Sequence, residues 1–156
     1  MDARITFDSD KARRFFRQVH TNVKEISQAH RSYVDAISVL VFQDVMDHFK
    51  REQGSDGKWK NWSKLYAERM AALGKGGNKK LQDSGRLRQS FMPKNYRAKS
   101  TGIQWYNPAK TKAGFPYAAA HDLGGDVLPK RDFMWLSNKA LQRISQLTAE
   151  YMMKGL

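Results

Sequence analysis

The sequence predicts an α+β fold: N-terminal amphipathic helices, a small antiparallel sheet with a hairpin, and a C-terminal helix packed on it. Two observations carry this. Apolar residues recur every three or four positions from Phe15 to Phe49 and again from Ala140 to Tyr151. The β-favouring side chains Tyr96, Ile103 and Trp105 cluster between turn signals instead of alternating with helical stretches. No repeat of solenoid period interrupts this order. The 156 residues suit one domain that buries roughly two-thirds of its unfolded surface. Within it, 1–53 should hold an opening strand and helices, 54–90 a basic loop and helix, 91–136 the sheet, and 137–156 the last helix.

Ile5 and Phe7 alternate with polar neighbours, which predicts a short strand. Asp8, Ser9 and Asp10 then offer cap oxygens to a helix through Phe15, Phe16, Val19, Val23 and Ile26. The stripe resumes with Tyr33, Val34, Ile37, Leu40, Val41, Val45 and Phe49. One helix of about forty residues would exceed ordinary lengths, so two are expected, with a break around Ser27 to Ser32. Core packing is the simpler account of the stripe; a face offered to another subunit is the alternative.

Gly54-Ser-Asp-Gly57 should end the second helix. Trp59 and Trp62 follow in a loop, and Ser63 caps a helix through Leu65, Tyr66, Met70 and Leu73. Gly74 to Asn78 reads as a mobile basic loop, and Leu81 to Ser90 as a helical turn leading into a strand. A hairpin is expected from Phe91 to Asn107, turning near Ser100 to Gly102, with Pro93 before its first strand or on an edge. Pro116 introduces a short helix over Tyr117 to His121 that ends at Gly124-Gly125. Val127 to Leu136 reads as extended. Ser137 caps a final helix with Ala140, Leu141, Ile144, Leu147 and Tyr151 on its buried side.

Charge is distributed unevenly. Residues 50–112 hold 16 Lys and Arg against 4 Asp and Glu, a net +12 of the chain's +13. A polyanion or an acidic protein surface is the expected counterpart. The absence of cysteine excludes disulfides and thiolate metal sites within these residues and fits assembly in a reducing compartment. The first residues lack the apolar run of a signal peptide, and no stretch approaches the ~20 apolar residues of a membrane span. A soluble protein made in the cytoplasm is expected.

Catalytic constellations are not evident. His20, His30, His48 and His121 show no metal-ligand pairing, and no serine sits in a nucleophile elbow. His121 beside Asp122 is the best candidate among the histidines, though local hydrogen bonding accounts for it more simply. Carboxylates are too sparse in the basic segment for a metal-dependent nuclease, and Gly74 to Lys80 does not match a phosphate loop. No catalytic, cofactor-binding or metal residue is therefore assigned. Basic residues interleaved with Trp59, Trp62, Tyr66, Phe91 and Tyr96 could follow a phosphate backbone, or form a solvated face whose rings point inward. Non-specific DNA binding by residues 50–112 is the alternative function.

Four phrases then stand in order: Gly57-x-Trp59-x-x-Trp62-Ser63-x-Leu65, Leu81-x-x-Ser84-Gly85-x-Leu87-x-x-Ser90, Tyr117-Ala-x-x-His121-x-x-Gly124, and Pro129-x-Arg131-x-Phe133. In that order they resemble the phage virion morphogenesis family of tail-completion proteins. Trp62 departs from it, since a smaller residue more often stands there. The resemblance implies a structural, non-enzymatic virion protein of the head–tail junction, assembled in the host bacterial cytoplasm. It would act as a tail terminator or neck ring that completes tails and joins them to heads. It implies a homo-oligomeric ring, commonly a hexamer, closed by heterologous contacts. Its partners would be tail tube or sheath proteins and head-completion or neck proteins, with non-specific contact to channel DNA and no membrane.

On this reading Gly57, Ser63, Leu65, Leu81, Gly85, Leu87, Phe91, Tyr117, His121, Gly124 and Phe133 maintain the fold. Trp59, Trp62, Lys75, Lys79, Lys80, Arg86, Arg88 and Arg131 are candidates for a subunit or partner interface. Arg131 would pair with a carboxylate within the subunit or across its boundary. The loops Gly54–Trp62 and Gly74–Lys80 are expected to dock on neighbouring proteins. The basic segment would line the lumen or meet acidic surfaces of adjoining rings.

Overall fold

The computed structural model describes residues 9–28, 30–99, 102–126 and 128–155. The predicted strand at Ile5 and Phe7, the cap at Asp8 and part of the Ser100–Gly102 turn lie outside them. Six helices and two small antiparallel sheets are seen among the described residues: α1 (Ser9–Ser27), α2 (Arg31–Arg51), β1 (Gln53–Gly54), β2 (Gly57–Lys58), α3 (Lys64–Ala72), α4 (Arg86–Gln89), β3 (Tyr96–Lys99), β4 (Gly102–Trp105), α5 (Tyr117–Leu123) and α6 (Asn138–Met152). β1 pairs with β2, Gln53 opposite Lys58, and β3 pairs with β4, Tyr96 opposite Trp105. The α+β expectation holds. None of the helices is long and apolar enough to cross a membrane.

The central element is α2. Its residues Tyr33, Val34, Ile37, Val41, Val45 and Phe49 are all buried, and their spacing puts them on one side of the helix. Phe49 anchors one end, with the Phe133 ring centroid 4.9 Å away and that of Trp59 at 5.6 Å. Further along, Phe42 stacks on Phe91 at 6.1 Å, and buried Ser38 accepts a hydrogen bond from the Trp105 indole at 2.9 Å. That bond fixes the β3–β4 hairpin against α2 and satisfies a polar atom that would otherwise be costly to bury. At the other end, Tyr33 meets α6 through Thr148 at 2.9 Å and the Tyr151 ring at 5.2 Å.

The α1 stripe behaves differently from the core expectation. α1 packs on α6, where buried Asn22 donates to the Met152 and Lys154 carbonyls at 2.7 and 2.9 Å, pairing acceptors at the end of that helix. Ile26 reaches the core, but Phe16 is 67 % exposed and Phe15 and Val23 are exposed as well. α1 packs on α6 along one side, and three of its five stripe residues stay in solvent.

Three other expectations are corrected. α2 stops at Glu52, which takes the left-handed conformation (φ 52°), rather than at the glycines, and residues 53–58 form the β1–β2 hairpin. A non-glycine residue is held there because its carboxylate accepts from the Lys80 backbone N–H and pairs with Lys80 Nζ at 3.3 Å. Leu141 is exposed, so α6 buries Ala140, with Ile144, Leu147 and Tyr151 partly covered. Residues 128–137 form no strand, which confines the sheet part of 91–136 to the 96–105 hairpin.

Side chains take the place of a strand partner for that segment. Asp122 Oδ1 accepts from the Phe133 and Met134 N–H groups at 2.8 and 2.9 Å. The Trp59 indole donates to the Asp132 carbonyl at 2.8 Å, and His48 Nδ1 to the Phe133 carbonyl at 3.0 Å. Asp44 accepts from the Ser137 backbone N–H at 2.8 Å and from its hydroxyl at 2.6 Å. The same Ser137 hydroxyl caps α6 through Ala140 N–H at 3.2 Å, as its sequence position suggested.

Phe133 is wholly buried and Leu65 is 80 % exposed. Phe133→Ala should therefore cost about 3–5 kcal/mol in urea unfolding. Leu65→Ala, a change within the first phrase, should stay within about 0.5 kcal/mol of the parent. Comparable losses at both positions would contradict this packing.

Candidate functional site

A cleft of about 800 Å³ opens between the loop before α3, residues 79–87, the loop at 110–112, α5 and residues 128–131. Every one of the four phrases contributes to it: Trp62 and Ser63; Leu81, Ser84 and Leu87; Tyr117 and His121; Pro129 and Arg131. Residues separated by up to 69 positions in the chain (62 to 131) are thus neighbours.

Each wall is positioned by a local device. Ser63 caps α3, accepting from Tyr66 N–H at 3.3 Å, and the Trp62 ring meets Tyr66 edge-on at 5.4 Å. Gly85, at φ 71°, allows the chain to enter α4, where Leu87 is buried, and Phe91 is buried just beyond it. Asn107 ties that wall to the 108–118 loop: it donates to the Leu87 carbonyl at 2.9 Å and accepts from Ser90 at 2.8 Å and from Ala109 N–H at 3.0 Å. Gly124 ends α5 at φ 73°, and a Cβ there would lie 2.7 Å from the Lys130 nitrogen. A side chain would push apart α5 and the segment that carries Arg131.

Arg131 is the unusual residue of the cleft. It is only 7 % exposed, and its backbone N–H donates to the His121 carbonyl at 2.9 Å. Nε donates to the Lys60 carbonyl at 3.2 Å and a terminal nitrogen to the Asn61 carbonyl at 3.4 Å. No ion pair reaches it among the described residues. The pairing within the subunit expected from the sequence is therefore replaced by two neutral carbonyls. Burial lowers its pKa, with Tyr66 and Glu52 acting in the opposite sense. An arginine nevertheless stays charged at neutral pH.

His121 lines the same cleft. Its Nδ1 is buried with no hydrogen-bond partner among the described residues. Burial first, and the Arg131 charge second, lower its pKa from the ordinary 6.5, so the neutral ring is favoured.

The remaining candidates divide by what they touch. Trp59 is buried against Phe49, so it belongs to the fold and is withdrawn from the interface set. Leu65 is withdrawn from the fold set because it packs on too little to support it. Gly57 stands at φ 121° where β2 begins, Leu81 is partly buried in the left-handed region (φ 60°), and Phe133 fills the core. Lys79 donates to the Lys50 carbonyl at 3.1 Å and Lys80 pairs with Glu52, so both hold the end of α2. Lys75 pairs with Asp83 at 2.8 Å, and exposed Arg88 donates to Gln82 at 3.3 Å. Exposed Arg86 lines the cleft without an ion pair among the described residues.

Lys60 and Tyr66 belong to the basic and aromatic set singled out in the sequence, whereas sequence reasoning missed Lys110 and Lys112 as cleft residues and Asn107 as its organiser. Their spacing carries no signal. The one available hint was that Lys110 and Lys112 lie in a loop bounded by Pro108 and Pro116. Among the described residues no group of three or more His, Cys, Asp or Glu is placed to hold a metal ion.

Together these features define a small α+β chain with a basic, aromatic-lined cleft. Compared with family models, curated proteins and solved structures, the chain matches none.

The His121 shift sets a pH dependence. Because its folded pKa lies below 6.5, the unfolded chain binds a proton more readily than the folded one between those values. Its contribution to stability is fully present above pH 6.5 and is lost as pH falls through the lowered folded value. Melting temperatures from pH 8 to pH 5 should fall more steeply for the parent chain than for His121→Gln. Parallel curves would contradict the assignment.

Proposed function

We propose that this chain is a structural, non-catalytic subunit of the head–tail junction of a tailed phage. It would assemble with copies of itself into a ring, six-membered on this reading, that completes the tail and joins it to the head. The observation that carries the reading is the convergence of four phrases, dispersed in sequence, on one cleft and the core beneath it. Their resemblance to the virion morphogenesis family then concerns one spatial unit rather than four separate short matches.

Two further features favour assembly over catalysis. The cleft offers cations and aromatic rings, and Asp83, the one carboxylate in its lining among the described residues, is paired with Lys75. α1 leaves Phe15, Phe16 and Val23 exposed, apolar area of the kind that a neighbouring copy covers in a ring. Tail tube or sheath proteins and head-completion or neck proteins would meet the ring's two faces.

The charge of residues 50–112 supports a second reading, non-specific DNA binding. Gel shifts of the isolated chain at physiological salt separate the two: the junction reading expects weak, steeply salt-dependent retention, and tight binding favours the alternative. Electron microscopy of particles made without this chain tests the junction reading itself. Unjoined heads and tails are the expected result; intact virions would remove it.

A further inference from the structure

We propose that the cleft is a docking site for an acidic peptide segment of a partner protein, with one carboxylate of that segment pairing with Arg131. The inference deepens the junction reading and rests on it only for where the partner sits.

The cleft has a surplus of unmatched positive charge. Four other lysines of the basic segment have internal tasks. Lys58 and Lys79 donate to the Arg51 and Lys50 carbonyls at the end of α2, Lys80 pairs with Glu52, and Lys75 pairs with Asp83. Lys60, Arg86, Lys110 and Lys112 line the cleft and have no ion pair among the described residues. Arg131 adds a fifth cation, more than nine-tenths buried and hydrogen-bonded only to carbonyls. Burying a guanidinium without a carboxylate is unfavourable unless an anion arrives to match it. A guanidinium also presents five N–H donors, and two carbonyls leave some of them available.

Depth and lining favour a peptide over a nucleic-acid backbone. Exposed lysines and arginines along a groove suffice to track phosphates. Here the least exposed cation lies beside a neutral histidine and among Trp62, Tyr66, Leu81, Tyr117 and Leu128. That arrangement suits an inserted Asp or Glu side chain whose apolar neighbours rest on the rings, while Lys60, Lys110 and Lys112 meet further acidic residues at the mouth. A volume of about 800 Å³ falls in the range of small-ligand pockets and has room for a few side chains.

The test uses the full-length chain and two fluorescent peptides, one of alternating Glu and Leu residues with a central Phe, the other with every Glu replaced by Gln. Anisotropy at physiological salt should show the acidic peptide binding at least about tenfold more tightly than the neutral one. Lys60→Glu and Lys112→Glu, both exposed and free to change without disturbing the core, should each weaken it by about tenfold. Lys94→Glu and Lys99→Glu make the same charge change outside the cleft and should leave binding within about twofold. Arg131→Gln should abolish binding, and circular dichroism shows whether that variant folds. If it does not, the lysine variants decide.

Equal binding of the two peptides, or equal losses from changes inside and outside the cleft, would overturn the proposal. So would an oligothymidylate that binds more tightly than the acidic peptide and loses affinity only in the cleft variants. Failure of the peptide test alongside unjoined heads and tails would overturn the cleft assignment alone. Peptide binding alongside intact virions would overturn the junction reading alone.

Discussion

The structure depends on a stretch of backbone that has no strand to pair with. Residues 128–137 pass beside α2 and the β1–β2 hairpin, where unpaired N–H and carbonyl groups would each cost about 1–3 kcal/mol. Asp122 of α5, Trp59 of the loop after β2, and His48 and Asp44 of α2 supply those partners. Because the bonds are specific, the segment has one register. Phe133 enters the core against Phe49, and Arg131, two residues earlier, is held under the loop at Lys60 and Asn61. Core and cleft are fixed by the same threading.

That coupling explains why the phrases fall where they do. Pro129-x-Arg131-x-Phe133 runs from the cleft, lined by Pro129 and Arg131, into the core at Phe133, with Asp132 accepting from the Ser55 backbone N–H at 3.0 Å in the β1–β2 turn. Gly124 permits α5 to end against residue 130, which brings His121 and Arg131 into the same wall. The +12 of residues 50–112 then separates into distinct populations. Part of it is structural: lysines that match the last carbonyls of α2, where the helix dipole favours cations. Another part, Lys60, Arg86, Lys110 and Lys112, lines the cleft without an ion pair among the described residues. Charge that looked like a single surface property includes a helix-end set and a cleft set, beside exposed cations such as Lys94 and Lys99.

The helices were the most legible part of the sequence. The α1–α2 break, the Ser63 and Ser137 caps and the β3–β4 hairpin follow from local patterns, because each is settled within a few residues. What was not legible depended on distant partners. Glu52 ends α2 because Lys80, 28 positions on, holds its carboxylate. Val127 to Leu136 reads as extended, yet its backbone is matched by side chains, and no local pattern distinguishes those from a neighbouring strand. Trp59 stands in a glycine-rich basic loop, a surface context, but Phe49 and the Asp132 carbonyl draw it inward. For the site, the phrases located four of its walls, whereas Lys60, Lys110 and Lys112 joined it only through the fold.

The central claim is that this cleft faces a partner. Hydroxyl-radical footprinting of the free chain and of the chain within assembled particles addresses it most directly, because Trp62, Tyr66 and Tyr117 report from the cleft while Tyr106 lies outside it. The account predicts strong protection of the three cleft rings on assembly. Equal labelling of those rings in both states would contradict it.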